Sequence, residues 1–245
     1  MTIKIKQINE NNKVGFLHKP DTDFGLDENG QTAQGYQHHD ALWWNGPNTV
    51  KTKRPKTLEL NSTVKHFHNL FLGISFNLIN IYKPSCVLDL GGGSGLLCNQ
   101  LRYCDPRITT VTVDANQLVK EKSPYIDENH FTGRTDKKLD FRDENDKKVI
   151  FDLVVSLEHF EHISEETFDT LMENIVDHTQ KGSNLIFTAS SWEYEEEDQK
   201  HVHCHIKSKE EWIKYINSYG FRVMPIPFAL NRAGNTVEIF ATRVE

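Results

Sequence analysis

Apolar positions from about residue 58 to the C-terminus alternate between helical and strand-like spacing. Residues 58–82 carry apolar side chains at helical intervals and are followed by Pro84, so we predict a helix that ends before this proline. The short apolar run of Val87, Leu88 and Leu90 then predicts a strand. The side chains expected on the inner face of the helix are Val64, Phe67, Leu70, Phe71, Ile74, Leu78 and Ile81.

The same reading predicts further strands and helices in alternation. Helices are expected near Ser94, over 164–182, and after Ser208, which forms a capping box with Glu211. The segment 139–145 reads as an acidic loop. Further strands are expected over 2–8, 108–113, 129–133, 153–156, 184–190, 221–227 and 236–244.

Strands that alternate with helices predict an α/β fold. We expect a Rossmann-like, doubly wound sheet of seven strands, mostly parallel, with an antiparallel last strand. This domain would cover residues 58–245.

Residues 1–57 are less regular and are rich in Gly, Asn, Asp and Pro after the first short strand. We interpret them as an N-terminal extension. Two hypotheses remain open: the extension packs its tryptophans onto the domain surface, or it forms a cap over the active site. The residues that suggest a cap are His38, His39, Asp40, Trp43 and Trp44.

Charge and composition narrow the classes of function. The net charge of −7 argues against a large nucleic-acid footprint, and the one dense basic run, residues 51–56, fits a solvated linker. No apolar run reaches the length of a membrane span, and the N-terminus lacks the apolar core of a secretory signal. The four cysteines form no C-x-x-C pair, so we expect a cytoplasmic protein.

The strand at 86–90 runs into the glycine-rich sequence D-x-G-x-G-x-G, which begins at Asp89. Its glycines, which let the backbone approach a ligand closely, are Gly91, Gly92, Gly93 and Gly95. Leu96 stands where a dinucleotide-binding loop would have its last glycine, which disfavours an NAD enzyme. Asp114 ends the second strand of this unit, where an acidic side chain typically holds a ribose diol. Asp140 and Phe141 are candidates to bond and cover an adenine ring.

The segment S-L-E-H-F-E-H-I holds the candidate catalytic groups. Glu158, Glu161 and His162 would share one face of a helical turn and form a mixed oxygen and nitrogen set that suits a divalent metal. Alternatively, His162 or His159 acts as a general base without metal. Additional imidazoles follow before the last helix, at His201, His203 and His205.

Taken together, the motif at Asp89–Gly95, Asp114, the Asp140 loop and the strand F-D-L-V-V-S resemble the class I S-adenosylmethionine (SAM) dependent methyltransferases across residues 58–245. The resemblance implies that Asp89 and the glycines surround the methionine part of SAM. Asp114 and Ala115 would lie at the ribose and Asp140 with Phe141 at the adenine, and Ser156 with Leu157 would form the floor near the sulfonium.

The E-x-x-E-H segment with a downstream histidine resembles two groups within that family. One is the small-RNA 3′-terminal 2′-O-methyltransferases, which use a divalent metal, and the other is the quinone-pathway O-methyltransferases. By the first resemblance, Glu158, Glu161, His162 and His203 would bind Mg or Mn.

The predicted function is SAM-dependent O-methylation of a small-molecule hydroxyl, on a sugar, a phenol or a lipid precursor. The alternatives are an RNA 3′-terminal 2′-O-methyltransferase and a non-catalytic SAM-fold binding protein. The acidic balance argues against the RNA alternative, and the intact Asp89 and Asp114 argue against the non-catalytic one.

Overall fold

The structure is a computed structural model that describes residues 5–7, 62–115, 123, 125–191, 203–230 and 236–245. The proposed cap residues 38–44, the basic run at 51–56 and His201 lie outside the described residues. Within the described part, no helix is both long and apolar enough to cross a membrane.

The described chain forms nine strands and four α-helices. The helices are α1 (Ser62–Tyr82), α2 (Leu96–Cys104), α3 (Glu165–Asp177) and α4 (Lys209–Ser218). The strands are β1 (Ile5–Gln7), β2 (Cys86–Leu90), β3 (Thr109–Asp114), β4 (His130–Thr132), β5 (Phe141–Asp143), β6 (Leu153–Leu157), β7 (Asn184–Ser190), β8 (Phe221–Met224) and β9 (Thr236–Arg243).

Seven of these strands form one twisted sheet in the order β4-β3-β2-β6-β7-β9-β8. The first five are parallel neighbours, whereas β9 runs antiparallel to both β7 and β8. This is the predicted doubly wound, seven-stranded Rossmann-like fold with an antiparallel last strand.

Apolar residues on the two faces of the sheet form two separate cores. On β2, Val87 packs with α1 and α2, while Leu88 and Leu90 face the core that holds α3 and α4. Every residue of β2 is buried, as expected for a parallel strand covered on both faces. Because β2, β3, β4 and β6 run parallel, their carboxyl ends lie at the same edge of the sheet.

Two local predictions were wrong. Ile81 was expected inside, but 45% of its surface is exposed near the end of α1. The predicted loop at 139–145 contains β5, which pairs antiparallel with β1 in a separate two-stranded sheet. The β1 strand joins the main domain, because Ile5 is buried in the same core as Phe141.

Candidate functional site

The glycine turn after β2 is held at the carboxyl edge of the sheet by backbone hydrogen bonds. The amides of Gly91 and Gly92 both donate to the carbonyl of Val113, at 2.8 and 3.3 Å. At Gly92, an added Cβ would stand 2.5 Å from both Asp89 Oδ2 and Thr112 Cγ2, so the turn has no room for a side chain there. The turn keeps its backbone close to the two strand ends, and α2 begins at Leu96 rather than near Ser94.

Asp114, the last residue of β3, contacts this turn directly. Its Oδ2 accepts a hydrogen bond from the Gly93 amide at 2.9 Å. Its carbonyl accepts from Gly133 at 2.9 Å, which joins the segment after β4 to the same edge. Ala115 follows immediately and is partly buried.

Asp89 ends up buried beneath the turn, with 3% of its surface exposed. Burial raises the pKa of Asp89 to about 7, and the charge of nearby Asp114 adds to the rise. The Cys98 thiol of α2 lies 3.9 Å from Asp89 Oδ2 and lowers this pKa slightly. Two carboxylates close together below a backbone turn make an electronegative site that suits a ligand with positive charge.

His159, which follows β6, packs against the other end of the turn. The position of a Cβ on Gly91 would lie 2.3 Å from the Cγ atom of the imidazole, and Gly91 has a φ of +68°. The ring Nε2 forms a 2.7 Å hydrogen bond with the Thr135 hydroxyl. Burial lowers the pKa of His159 to about 4, although the nearby Asp136 carboxylate opposes the shift.

Glu161, His162 and His203 form a buried cluster beyond the carboxyl end of β6. One ligand atom from each lies within 4.8 Å of the others. Glu161 and His162 belong to a short 3₁₀ turn, Phe160–His162, and the rings of His162 and His203 are 5.0 Å apart. The Ser190 amide at the end of β7 donates to Glu161 Oε1 at 3.0 Å and fixes one oxygen of the carboxylate.

The structure does not place Glu158 in this cluster. The 3₁₀ turn begins only at Phe160, so Glu158 does not share the helical face that its spacing predicted. Instead, Glu158 takes a left-handed backbone with a φ of +51° and donates its amide to Thr188 Oγ1 at 2.9 Å. A residue other than glycine is uncommon in this conformation, which the described chain also shows at Lys83 and Asp146.

The two described downstream histidines differ in their surroundings. His203 faces His162, whereas the ring of His205 packs edge-on against Phe168 at 4.6 Å and lies 5.1 Å from Trp212. Burial lowers the pKa of His205 to about 4. His205 is therefore part of the hydrophobic core between α3 and α4.

The residues predicted for the adenine are placed differently from the expectation. Phe141 is fully buried and packs against Phe151 and His178, so its ring has no face available to a ligand. Asp140 is paired with Arg142, with 2.9 Å between Oδ1 and Nε. The loop interpretation failed because β5 pairs with the distant β1, which turns Phe141 into the core.

Ser156 and Leu157 lie at the carboxyl end of β6, as predicted, but only Leu157 is partly exposed. The Ser156 hydroxyl donates to the Leu90 carbonyl at 2.9 Å, and the side chain is fully buried. Ser156 thus ties β6 to β2 from below the edge.

The sequence did not single out Thr135 and Asp136. They follow the predicted strand at 129–133 and therefore lie at the same carboxyl edge of the sheet. Asp136 is buried and paired with Arg134, with 2.6 Å between Oδ1 and Nε. The signal that could have found them was their position directly after a strand of the parallel sheet.

A comparison with family models gives one match, described as "Methyltransferase domain", over residues 65–226. No curated protein matches the sequence. Among solved structures, a SAM-dependent methyltransferase from Clostridium acetobutylicum is 10% identical with a TM-score of 0.54, and the match covers 73% of this chain and 92% of that one. A putative methyltransferase of Haloferax volcanii, solved with its Trm112 activator, is 17% identical with a TM-score of 0.55 and coverage of 75% and 93%.

Human N-acetylserotonin methyltransferase in complex with SAM is 16% identical with a TM-score of 0.52. That match covers 76% of this chain but 54% of the human enzyme, so the chain spans about half the length of this larger protein. At such identities the solved structures establish the fold alone.

Proposed function

Because this chain belongs to the methyltransferase-domain family, within the class I SAM-dependent methyltransferases, we propose that it transfers the methyl group of SAM to a hydroxyl of a small molecule. The observation that carries the proposal is the position of the Glu161, His162 and His203 cluster. Glu161 and His162 lie on the segment directly after β6, and His203 reaches them from the segment before α4. The amide of His162 donates to the carbonyl of His159, the residue that packs on the glycine turn. Proton-accepting groups therefore stand beside the cofactor edge.

The residues present fit SAM. The turn at Gly92 leaves no space for a side chain. The positive amino and sulfonium groups of SAM would stabilise the ionised forms of Asp114 and of Asp89, whose pKa burial raises to about 7. We propose that Asp114 accepts hydrogen bonds from the ribose hydroxyls while the amides of the turn hold the methionine part. Bound SAM supplies an electrophilic methyl group, so the protein has to position and deprotonate the acceptor.

We propose His162 as the group that receives the acceptor proton. An imidazole suits this role, and positioned general bases contribute about 10²–10⁴-fold to a rate. In this role, Glu161, held by the Ser190 amide, and His203 orient the His162 ring. His162 is buried, with 8% of its surface exposed, so competing water is limited.

The cluster also fits a divalent metal, because a carboxylate and two imidazoles are common ligands of such ions. Two nitrogen ligands suit Mn²⁺, Fe²⁺ or Zn²⁺ better than Mg²⁺, which prefers oxygen ligands. If a metal is held here, Glu161, His162 and His203 would bind it, and it would lower the pKa of a bound hydroxyl.

The test begins with calorimetry of SAM against NAD as a control. Radiolabelled SAM is then offered with a panel of phenols, sugars and lipid precursors, and separately with a short RNA. We expect SAM to bind, NAD not to bind, and label to enter a small molecule. His162→Gln should reduce transfer by about 10²-fold or more while SAM affinity stays within about twofold. Absence of SAM binding, or transfer to the RNA alone, would contradict the proposal.

A further inference from the structure

We infer that His159 is a positioning residue that holds the glycine turn in its ligand-binding shape, and that it is not a catalytic base. The inference rests on the proposed function, since it concerns the turn that binds SAM. Nothing in the motif at Asp89–Gly95 requires a histidine at this position. The role follows from three contacts that His159 makes at the cofactor edge.

The first contact is with Gly91. The ring of His159 fills the space that a side chain at position 91 would need, because the Cβ position lies 2.3 Å from Cγ and 2.5 Å from Nδ1. Gly91 also has a positive φ, which residues other than glycine rarely adopt. The shape of the turn and the position of the ring are therefore fitted to each other.

The second contact is with Thr135, a residue that α3 holds in place. The Thr135 hydroxyl bonds His159 Nε2 at 2.7 Å, and the Thr135 carbonyl accepts from Asn174 Nδ2 at 3.0 Å. Asn174 is buried in α3 and also accepts from the Leu139 amide at 2.9 Å. The partner of the imidazole is thus held by a helix and not by a surface side chain.

The third contact is made by the backbone. The carbonyl of His159 accepts from the His162 amide at 3.0 Å, which connects it to the 3₁₀ turn of the proposed catalytic residues. His159 therefore contacts the glycine turn through its ring and the segment of His162 through its backbone.

These contacts join segments that leave different strands. His159 follows β6, Thr135 follows β4 and Gly91 follows β2, while the strand order places β3 and β2 between β4 and β6. The His159–Thr135 bond therefore links the two sides of the edge at which the ligand must bind. A turn that is already held in its bound shape loses less conformational freedom on binding, which increases affinity.

The same geometry argues against a base. Nε2 is engaged with the Thr135 hydroxyl, and Nδ1 lies 2.5 Å from the position that a Cβ on Gly91 would take. Both nitrogens therefore stand next to groups of the protein at the glycine turn.

The experiment measures SAM affinity by calorimetry and the melting temperature for six variants of the full chain: four single variants at His159 and Thr135, the double variant His159→Ala with Thr135→Val, and a control. His159→Ala and Thr135→Val remove the bond from either side, whereas His159→Gln and Thr135→Ser each keep a polar partner. Thr179→Val is the matched control, since it also removes a buried threonine hydroxyl, one that donates to the Ile175 carbonyl in α3.

We expect His159→Ala and Thr135→Val each to weaken SAM binding about fivefold to tenfold, which matches the loss of one buried hydrogen bond. The double variant should bind no more weakly than the weaker single variant, because both remove the same bond. His159→Gln and Thr135→Ser should bind within about twofold of the parent, and Thr179→Val should lower the melting temperature alone.

The inference is overturned if Thr135→Val, which conserves shape, binds SAM as the parent does, or if the two losses add fully. A fall in melting temperature without a change in SAM affinity would also overturn it. If the parent protein itself does not bind SAM, the proposed function fails together with this inference, whereas parent binding with unaffected variants removes only the role of His159.

Discussion

The carboxylate of Asp114 at the end of β3 accepts a hydrogen bond from the amide of Gly93 at 2.9 Å. A residue proposed to hold the ribose thus also fixes the turn proposed to hold the methionine part. The two halves of the cofactor site are therefore coupled through one side chain, and changes at Asp114 should affect both.

Asp114→Ala should weaken SAM binding by about 1–3 kcal/mol, because it removes a charged acceptor and releases the Gly93 amide. Asp114→Asn keeps an oxygen for this amide and should lose less. Calorimetry of both variants measures the difference. Asp177→Asn, on the surface of α3, serves as a control with an unchanged SAM affinity. If Asp114→Ala binds SAM as tightly as the parent, the ribose assignment is wrong.

The buried Asp89 makes the stability of the protein depend on pH. Burial raises its pKa from 3.8 to about 7, so the folded state favours the protonated acid. The stability that this difference contributes is fully present below pH 3.8 and is lost as the pH rises through about 7. Asp89→Asn has no carboxyl group that can ionise at this position. Its free energy of unfolding is measured with urea at pH 5 and pH 8, without SAM. Relative to the parent, the variant should be more stable at pH 8 than it is at pH 5. A difference between the two proteins that is independent of pH would contradict this.

Metal content should depend on the cluster and not on the whole E-x-x-E-H segment. Elemental analysis of protein purified without chelator and loaded with Mn²⁺ should show less metal in His162→Ala and His203→Ala than in the parent. Glu158→Gln should keep the metal content of the parent, since Glu158 stands outside the cluster. Equal metal content in all four proteins would refute the site, and a loss in Glu158→Gln would refute this geometry.

Asn174 should be important for stability although it is distant from the proposed chemistry. Its side chain accepts from the Leu139 amide and donates to the carbonyls of Thr135 and Lys137, and it is buried. Asn174→Ala leaves these groups without their partner and should lower the free energy of unfolding by about 2–4 kcal/mol. The exposed neighbour Glu173→Ala should change it by less than about 0.5 kcal/mol, and urea unfolding of both variants checks the contrast.

Much of the sheet was predictable because its signals are local. Strand β7 begins and ends at the predicted residues, and the Ser208–Glu211 capping box forms at the start of α4 as predicted. The buried strands are short and apolar, and their alternation with helices indicates an α/β sheet that is mostly parallel. The glycine turn and Asp114 were predictable for the same reason, since the turn follows β2 and Asp114 ends β3.

The remaining features depend on contacts between distant residues. Nothing near Phe141 indicates that β1 would pair with it, and the backbone of Glu158 turns left-handed at a point where the residue spacing suggests a regular helix. The role of Thr135 likewise depends on Asn174 in α3 and on His159 after β6. Such features become visible only when the elements are packed together.

The pairing of β1 with β5 also determines where the catalytic unit begins. Ile5 is buried beside Phe141, and its amide donates to Asn129 Oδ1 at 3.3 Å. A fragment that starts at residue 58 would open this core and leave an unpaired edge on β5, which invites aggregation. Shortened versions of the protein should therefore keep the first seven residues.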